Sequence, residues 1–247
     1  MTAMKLPEQK SEINTDFKAQ KFALIGQPGI GKSEFLAQEP GVLFIETEAG
    51  LNYVSVFKMP ARTWNDLREI YGLLKAAKDK GELKYTMVAI DTIDRLVDMA
   101  EEEVVGRARE FYSKMANEIN TIGDIPNGGG WSKTRELVAT FFNRLEGLGV
   151  AVAYVGHLST KRVDDGVRKY DKNTISLWKG VGEDMLAWAD HLLHIEARHV
   201  GDRLQRVVYT KPTQSREAKS RGAHVPDGTK WGDDVKENYA AFKKLFK

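Results

Sequence analysis

The segment at residues 26–33 constrains the fold of this chain more than any other feature of its sequence. It reads Gly-Gln-Pro-Gly-Ile-Gly-Lys-Ser and matches the pattern G-x-x-x-x-G-K-[ST] of a phosphate-binding loop. An apolar run at residues 22–25 precedes it, and a stretch with helical periodicity follows at residues 32–38. This order of strand, loop and helix is the context that the motif requires, which argues against a chance glycine turn.

The residue types of this segment fit a nucleoside triphosphate and its magnesium ion. Glycines let the backbone turn its N–H groups inward, and the N-terminus of the following helix favours negative charge. Lys32 would add a positive charge near the β- and γ-phosphates, and the Ser33 hydroxyl would bind the magnesium ion. We therefore predict ATP and Mg2+ as cofactors, bound by Gly26, Gln27, Pro28, Gly29, Ile30, Gly31, Lys32 and Ser33.

A carboxylate at the end of another apolar run completes the predicted metal site. Asp91 directly follows the apolar residues 87–90 and is expected to hold the hydrated magnesium ion with Ser33. The alternative is an N-cap for the helix that starts near Ile93, and the two roles are compatible.

Hydrolysis also needs a residue that orients the attacking water. Thr92 follows Asp91 where one large branch of P-loop enzymes has a Glu, so the base must come from elsewhere. The apolar run at residues 42–45 is followed by Glu46 and Glu48, which would lie at the ligand-binding edge of a parallel sheet. Glu48 lies beyond the run and is the preferred base, while Glu46 and a merely solvated strand end are the alternatives.

Short apolar runs alternate with longer stretches of helical periodicity through most of the chain. The runs lie at residues 22–25, 42–45, 87–90 and 150–155, and the helical stretches at 32–38, 64–78, 95–120, 133–148, 181–189 and 233–247. The alternation predicts an α/β fold with a mostly parallel central sheet flanked by helices. Residues 191–197 and 205–211 flank Gly201-Asp202, which predicts an antiparallel edge hairpin near the C-terminus.

Composition excludes several classes of function. The 247 residues include no cysteine, which excludes disulfide frameworks, thiolate zinc sites and cysteine nucleophiles. A formal net charge of +2 is too small to indicate nucleic-acid binding by itself. The polar N-terminus lacks the apolar core of a signal peptide, and no apolar run is long enough for a membrane span. We expect a globular, cytoplasmic protein without a membrane partner.

The order of these motifs resembles the RecA-like recombinase core. It is most similar to the core-only RecA-like ATPases of bacteriophages that act in single-strand annealing or recombination, an AAA-type group of phage nucleotide-binding proteins. The resemblance implies a polar arm at residues 1–20, a RecA-like ATPase core at 21–221 and a tail with a terminal helix at 222–247. A phage-encoded protein of this kind would act in the host cytoplasm.

The most specific parts of the resemblance are the phosphate-binding loop and residues 44–51. The second part looks like the family's strand with the catalytic glutamate, and this match gives Glu48 the role of base. The loop itself, Gly-x-Pro-Gly-x-Gly-Lys, is also typical of AAA+ proteins, but the missing Asp-Glu pair favours the RecA type. His157 ends a strand where the family has a polar residue that senses the γ-phosphate, and a purely structural histidine is the alternative.

The resemblance further implies two loops that bind single-stranded DNA, a glycine-rich one at residues 121–131 and another at residues 158–180. The second is basic, with aromatic residues interleaved, and would follow a phosphate backbone while rings stack on bases. The implied DNA-binding residues are Trp131, Lys161, Arg162, Arg168, Lys169 and Lys172. A late basic segment implies residues that act in trans on a neighbour's nucleotide, with Lys211, Arg216, Lys219 and Arg221 as candidates.

These features lead to one principal functional hypothesis and two alternatives. The principal one is an ATPase, stimulated by single-stranded DNA, that promotes annealing or strand exchange. It implies single-stranded DNA, further copies in a filament or ring, and a single-strand-binding protein as partners. The first alternative is an ATP-binding regulatory or assembly module without a DNA partner. The second is a phosphotransferase that acts on a small molecule, with residues 158–168 as a lid.

Overall fold

Ten strands and six helices organise the part of the chain described by the computed structural model, which is residue 6 and residues 8–200, 203–222 and 225–246. The strands are β1 (Lys21–Gly26), β2 (Val42–Glu46), β3 (Phe57–Pro60), β4 (Met87–Asp91), β5 (Ala151–Asp164), β6 (Lys169–Ile175), β7 (His191–Val200), β8 (Arg203–Tyr209), β9 (Lys219–Ser220) and β10 (Thr229–Trp231). The helices are α1 (Lys32–Leu36), α2 (Trp64–Asp79), α3 (Ile93–Phe111), α4 (Gly129–Glu146), α5 (Lys179–Trp188) and α6 (Val235–Lys243).

The sheet is parallel through its centre and antiparallel at one side. Its order is β10-β8-β7-β1-β5-β4-β2-β3, with β6 paired to β5 and β9 paired to β7. Strands β7, β1, β5, β4, β2 and β3 run parallel, whereas β8 pairs antiparallel with both β7 and β10. The predicted mostly parallel sheet and its antiparallel hairpin, β7 with β8, are confirmed. The predicted turn residues Gly201 and Asp202 lie outside the described residues.

Helices cover both faces of the sheet. We call the face under α2, α3, α4 and α5 the α3 face, and the face under α1 and α6 the α1 face. Strands β2 and β4 are buried along their whole length, which explains why they appear in the sequence as unbroken apolar runs rather than alternating ones. Among the described helices, none has the combination of length and apolar character that crossing a membrane would need.

Strand β5 is much longer than the apolar run at residues 150–155 predicts. Beyond the sheet it continues to Asp164 and pairs antiparallel with β6, from Leu158 opposite Ile175 to Asp164 opposite Lys169. The segment at 158–180, predicted as a loop, is therefore a β-hairpin followed by the start of α5. The prediction failed because this hairpin extends past the sheet and is mostly solvated, so it lacks the apolar pattern of a strand.

The segment at 121–131 is also more ordered than the predicted glycine-rich loop. It forms two short 3-10 turns and the first residues of α4. Gly130 packs directly on the backbone of the first turn, where a side-chain carbon would come within 2.0 Å of the Ile122 carbonyl oxygen. Helix α3 ends at Phe111, nine residues before residue 120, where the helical periodicity of the sequence predicts its end.

Residues from both ends of the described chain join the core of the α1 face. Phe17 packs against Phe22, with ring centroids 5.4 Å apart, and against Phe246 at 5.9 Å. Trp231 stacks on Phe35 of α1 with centroids 4.3 Å apart. The division into arm, core and tail stays a prediction, but the tail contributes side chains to the same apolar cluster as the phosphate-loop helix.

A buried carboxylate fixes α6 to the core. Glu39 is 4% exposed, and its carboxylate accepts hydrogen bonds from the Thr86 hydroxyl at 2.6 Å, the Tyr239 hydroxyl at 2.5 Å and Lys243 Nζ at 2.7 Å. Burial raises the pKa of the Glu39 carboxyl, but the hydrogen bonds from Lys243, Thr86 and Tyr239 outweigh it and hold the pKa below its ordinary value. The ionised form is therefore the one that the fold stabilises.

Replacing this carboxylate, Glu39→Gln, is expected to lower the free energy of unfolding by about 2 kcal/mol at pH 7, because Lys243 loses a charged acceptor. A lowered pKa contributes stability above the unfolded-state value, and this contribution is lost as pH falls through the folded-state value. The difference between variant and wild type should therefore shrink below pH 4.5, the ordinary glutamate value. Urea unfolding across pH measures it. The exposed α6 residue Glu237, changed to Gln, is the control, and a pH-independent difference would contradict the assignment.

Candidate nucleotide-binding site

The segment at residues 26–33 connects β1 to α1 at the carboxyl edge of the sheet. Gly29 and Gly31 have φ of 74° and 97°, in the left-handed region that favours glycine. Gly26 is required for a different reason, since a side-chain carbon there would lie 2.8 Å from the Ile195 carbonyl oxygen of β7. The loop therefore combines left-handed turns with a close approach to the neighbouring strand.

Lys32 points back over the loop that precedes it. Its side chain is buried, and Nζ donates hydrogen bonds to the Gly26 carbonyl at 2.8 Å and the Gln27 carbonyl at 2.9 Å. Burial lowers the pKa of the Lys32 ammonium, and the nearby carboxylates of Asp91 and Asp94 oppose that change. The loop thus holds a cation at its mouth, where it would meet phosphate oxygens.

Asp91 and Ser33 meet at the edge of the sheet, although β5 lies between β4, which ends in Asp91, and β1, which leads to Ser33. Asp91 is the last residue of β4, and its carboxylate accepts a hydrogen bond from the Ser33 side chain. Burial raises the pKa of the Asp91 carboxyl, while that hydrogen bond and the charge of Lys32 oppose the rise. The N-cap position of α3 belongs to Thr92 rather than Asp91. A hydroxyl and a carboxylate oxygen are ligands that suit a partly hydrated Mg2+.

The two candidate bases occupy different environments. Glu46 is 5% exposed, and its Oε1 accepts hydrogen bonds from the Leu51 amide at 3.2 Å and from Lys58 Nζ at 3.1 Å. Glu48 is exposed, and its Oε2 accepts a hydrogen bond from the Thr92 hydroxyl at 3.3 Å. The negative charge of Glu48 also raises the pKa of the Asp91 carboxyl. Glu46 is therefore held by the loop that follows β2 and by β3, whereas Glu48 faces the Asp91 end of the site.

His157 and Asp94 form a contact that the sequence did not predict. Asp94 lies in the first turn of α3, and its Oδ2 accepts a hydrogen bond from the His157 backbone amide at 3.1 Å. The same oxygen lies 3.4 Å from His157 Nδ1. Burial raises the pKa of the Asp94 carboxyl, and the hydrogen bond from the His157 amide opposes the rise. The only signal in the sequence was a second Asp three residues after the one that ends the strand.

The implied DNA-binding cations lie on the hairpin at residues 158–175, but most of them have intramolecular partners. Lys161 Nζ donates a hydrogen bond to the Leu177 carbonyl at 2.7 Å. The ion pairs, with their shortest N–O distances, are Arg162–Asp171 at 3.1 Å, Lys169–Asp164 at 3.3 Å and Lys172–Glu217 at 2.6 Å. Arg168 lies exposed at the tip, beside Val167, which is 86% exposed.

The two segments implied in DNA binding contact each other through tryptophans. Trp131, in the first turn of α4, packs edge-on against Trp178 with ring centroids 4.8 Å apart. Trp178 Nε1 donates a hydrogen bond to Glu101 Oε1 at 2.8 Å. Trp131 keeps 43% of its surface exposed next to the hairpin base. The structure therefore brings the two predicted segments together, with one ring available to solvent.

The four residues implied to act in trans are placed differently from one another. Arg216 stacks on the Tyr209 ring at 3.4 Å from its centroid, and Lys219 Nζ donates a hydrogen bond to the Leu186 carbonyl at 2.7 Å near the end of α5. Arg221 pairs with Asp190 at 3.0 Å, and Lys211 is exposed. A role in trans stays a prediction for all four residues.

The chain is similar to a known family and to a solved structure. A family model described as "AAA domain" matches residues 18–222, which covers most of the chain. Among solved structures, the chain is similar to a KaiC-like protein from the hyperthermophilic archaeon Pyrococcus horikoshii OT3. The two are 16% identical over 78% of each chain, with a TM-score of 0.43. Among curated proteins no match was found.

The different environments of the two glutamates predict different effects on stability. Glu46→Gln is expected to lower the free energy of unfolding by about 2 kcal/mol, because Lys58 and the Leu51 amide lose a charged acceptor in a buried position. Glu48→Gln, at an exposed position, is expected to change it by less than about 0.5 kcal/mol. Urea denaturation followed by circular dichroism compares the two. Equal losses would contradict the distinction drawn from their contacts.

Proposed function

Since the chain belongs to the AAA domain family of P-loop ATPases, we propose that it binds and hydrolyses ATP with Mg2+ and couples this reaction to single-stranded DNA. The phosphates bind the loop at residues 26–33, with the Lys32 ammonium beside the β- and γ-phosphates. Ser33 and Asp91 provide the oxygen ligands for the metal, whose charge offsets that of the phosphates.

Glu48 orients the water that attacks the γ-phosphate. Its carboxylate is exposed and adjoins Asp91, and no cation is paired with it in the described part of the chain. Glu46 is less suitable because the Lys58 ammonium and the Leu51 amide already occupy one of its oxygens. The base and the metal ligand thus come from β2 and β4, which are neighbours in the sheet.

The observation that carries the coupling is the continuity of β5. This one strand pairs with β1 beside the phosphate loop, passes through His157 opposite Gly26, and extends without a break to the hairpin tip at Asp164. Asp94 contacts His157 at the junction and acts electrostatically on Lys32. A change at the γ-phosphate that moves Asp94 or His157 would therefore shift the base of the hairpin directly.

Single-stranded DNA is the partner that we propose for the hairpin. Arg168 and Lys169 lie at its exposed tip, and the half-exposed Trp131 lies near its base. Such a surface offers cations to a phosphate backbone and a ring to a base. ATP binding would favour the DNA-bound form in an oligomer of further copies, and hydrolysis would release it. Annealing or strand exchange is the activity that this cycle serves.

A specific observation favours a second candidate, an ATP-dependent regulatory or assembly module without a DNA partner. The hairpin pairs Arg162 with Asp171 and Lys169 with Asp164 across its own strands. These carboxylates offset much of the charge that DNA would use. Under this alternative the hairpin contacts a protein, and its ion pairs serve only to stabilise its strands.

The proposed base predicts a large loss of hydrolysis in Glu48→Gln. The turnover number should fall by a factor of about 100 to 10,000, while ATP binding is retained, because the amide cannot accept the proton of the attacking water. Steady-state phosphate release and equilibrium binding of ATP separate the two effects. Glu46→Gln is the matched control, and Lys32→Ala sets the background. A larger loss in Glu46→Gln at equal folded fraction would transfer the role to Glu46.

Coupling to DNA predicts that an oligo(dT) strand increases the ATPase rate, and that Arg168→Ala with Lys169→Ala weakens this stimulation. For a single strand, each cation that binds a phosphate contributes about 0.7 to the log–log slope of affinity against salt concentration, so the double variant should reduce this slope by about 1.4. ATPase rates titrated with oligo(dT) at several salt concentrations measure both the stimulation and the apparent affinity for DNA.

The control for this experiment removes two exposed cations elsewhere, Lys236→Ala with Lys244→Ala in the region of α6. It should leave the stimulation unchanged. If oligo(dT) neither alters the rate of the unmodified protein nor binds to it at low salt, the DNA proposal fails and the regulatory alternative remains.

A further inference from the structure

Arg206 reaches the phosphate-binding loop from a strand that the site residues do not use. It lies on β8, opposite Trp231 of β10, and residue alternation places it on the α1 face together with Val208. A side-chain carbon built on Gly31 would lie 3.9 Å from Arg206 Nε and 3.8 Å from a carboxylate oxygen of Glu34. The guanidinium therefore flanks the loop where α1 begins.

The Nε atom of Arg206 is buried, and it has no hydrogen-bond partner among the residues that the structure describes. Among the described residues, two other side chains have a buried nitrogen without a hydrogen-bond partner, namely His194 at Nε2 and Arg216 at Nε. Both of these side chains lie beside the Glu196 carboxylate, at 3.4 Å and 3.5 Å. Arg206 has no such carboxylate within 4.0 Å in the described chain. A buried donor without a partner is costly, which suggests that a bound group completes its environment.

The strand order indicates which part of a ligand would meet Arg206. The carboxylates Asp91 and Glu48 follow β4 and β2, which lie on one side of β1, whereas β7 and β8 lie on the other side. A nucleotide with its γ-phosphate beside Asp91 must extend its nucleoside end in the opposite direction across the loop. That direction leads towards Gly31 and the guanidinium of Arg206.

We propose that Arg206 binds the α-phosphate of the nucleotide and acts in ligand binding rather than in the hydrolytic step. The proposal rests on the nucleotide site put forward under the proposed function. Guanidinium donors match phosphate oxygens in geometry and charge. ADP and ATP share the α-phosphate, so both should depend equally on Arg206. The contact is the same before and after attack on the γ-phosphate, and it therefore contributes uniform binding.

The test replaces Arg206 by Met, which keeps an unbranched aliphatic stem and removes the donors. Arg206→Met should weaken the binding of ADP and of ATP by the same factor, about tenfold to a hundredfold, as expected when one charged hydrogen bond is removed. KM should rise while the turnover number changes little. Binding of inorganic tripolyphosphate, whose terminal phosphate would occupy the α-position, should weaken by the same factor. Arg206→Lys should recover part of the affinity, since it restores a charge without the planar fork.

Arg198→Met is the control, because it removes an exposed guanidinium from the neighbouring strand β7. Melting temperatures of all variants check folding, and Arg206→Lys carries the comparison where Arg206→Met is unstable. Unchanged nucleotide affinity in folded Arg206 variants, with Lys32→Ala defective, would overturn this inference and leave the proposed function intact. The inference would also be overturned if only ATP binding were weakened, or if nucleotide binding were weakened but tripolyphosphate binding were not. Failure of the unmodified protein to bind any nucleotide would overturn both.

Discussion

The parallel pairing of β5 with both β1 and β4 is the constraint on which the rest of the site depends. Because β5 lies between them, Gly26 aligns with His157 and Asp91 aligns with Val155 at one edge of the sheet. That alignment lets the Ser33 hydroxyl reach Asp91 across an intervening strand. A shift of one residue would turn the side chains of β5 to the opposite faces, and the buried residues on both sides of the sheet prevent this.

The sequence could predict the centre of this arrangement because burial on both faces leaves a strong local pattern. Residues 42–45 and 87–90 appear as unbroken apolar runs, and each ends in carboxylates whose position follows directly from the strand. Local pattern favoured Glu48 over Glu46 only through its position beyond the apolar run. The contact that distinguishes the two glutamates comes from Lys58 on β3, a short, mostly exposed strand with no clear signal in the sequence.

Contacts between distant segments account for what the sequence did not predict. Asp94 becomes distinctive only because His157, from a strand more than sixty residues later, donates a hydrogen bond to it. Arg206 is one cation among many in the sequence, and only the fold places it beside Gly31. The hairpin at residues 158–175 is hidden for another reason, since its charged strands pair outside the core, where alternation of apolar residues is not needed.

The ion pairs of this hairpin are compatible with either candidate function, and their energetics explain why. Exposed ion pairs such as Arg162–Asp171 contribute only about 0–1 kcal/mol each to stability. The phosphates of a DNA strand can therefore replace the carboxylates at little cost. The hairpin carries five cations and three carboxylates, so cations remain in excess after pairing. Exchange of this kind would strengthen as salt is lowered, because counterion release drives it. A protein partner held by apolar contacts, with Val167 at the exposed tip, would show much weaker salt dependence.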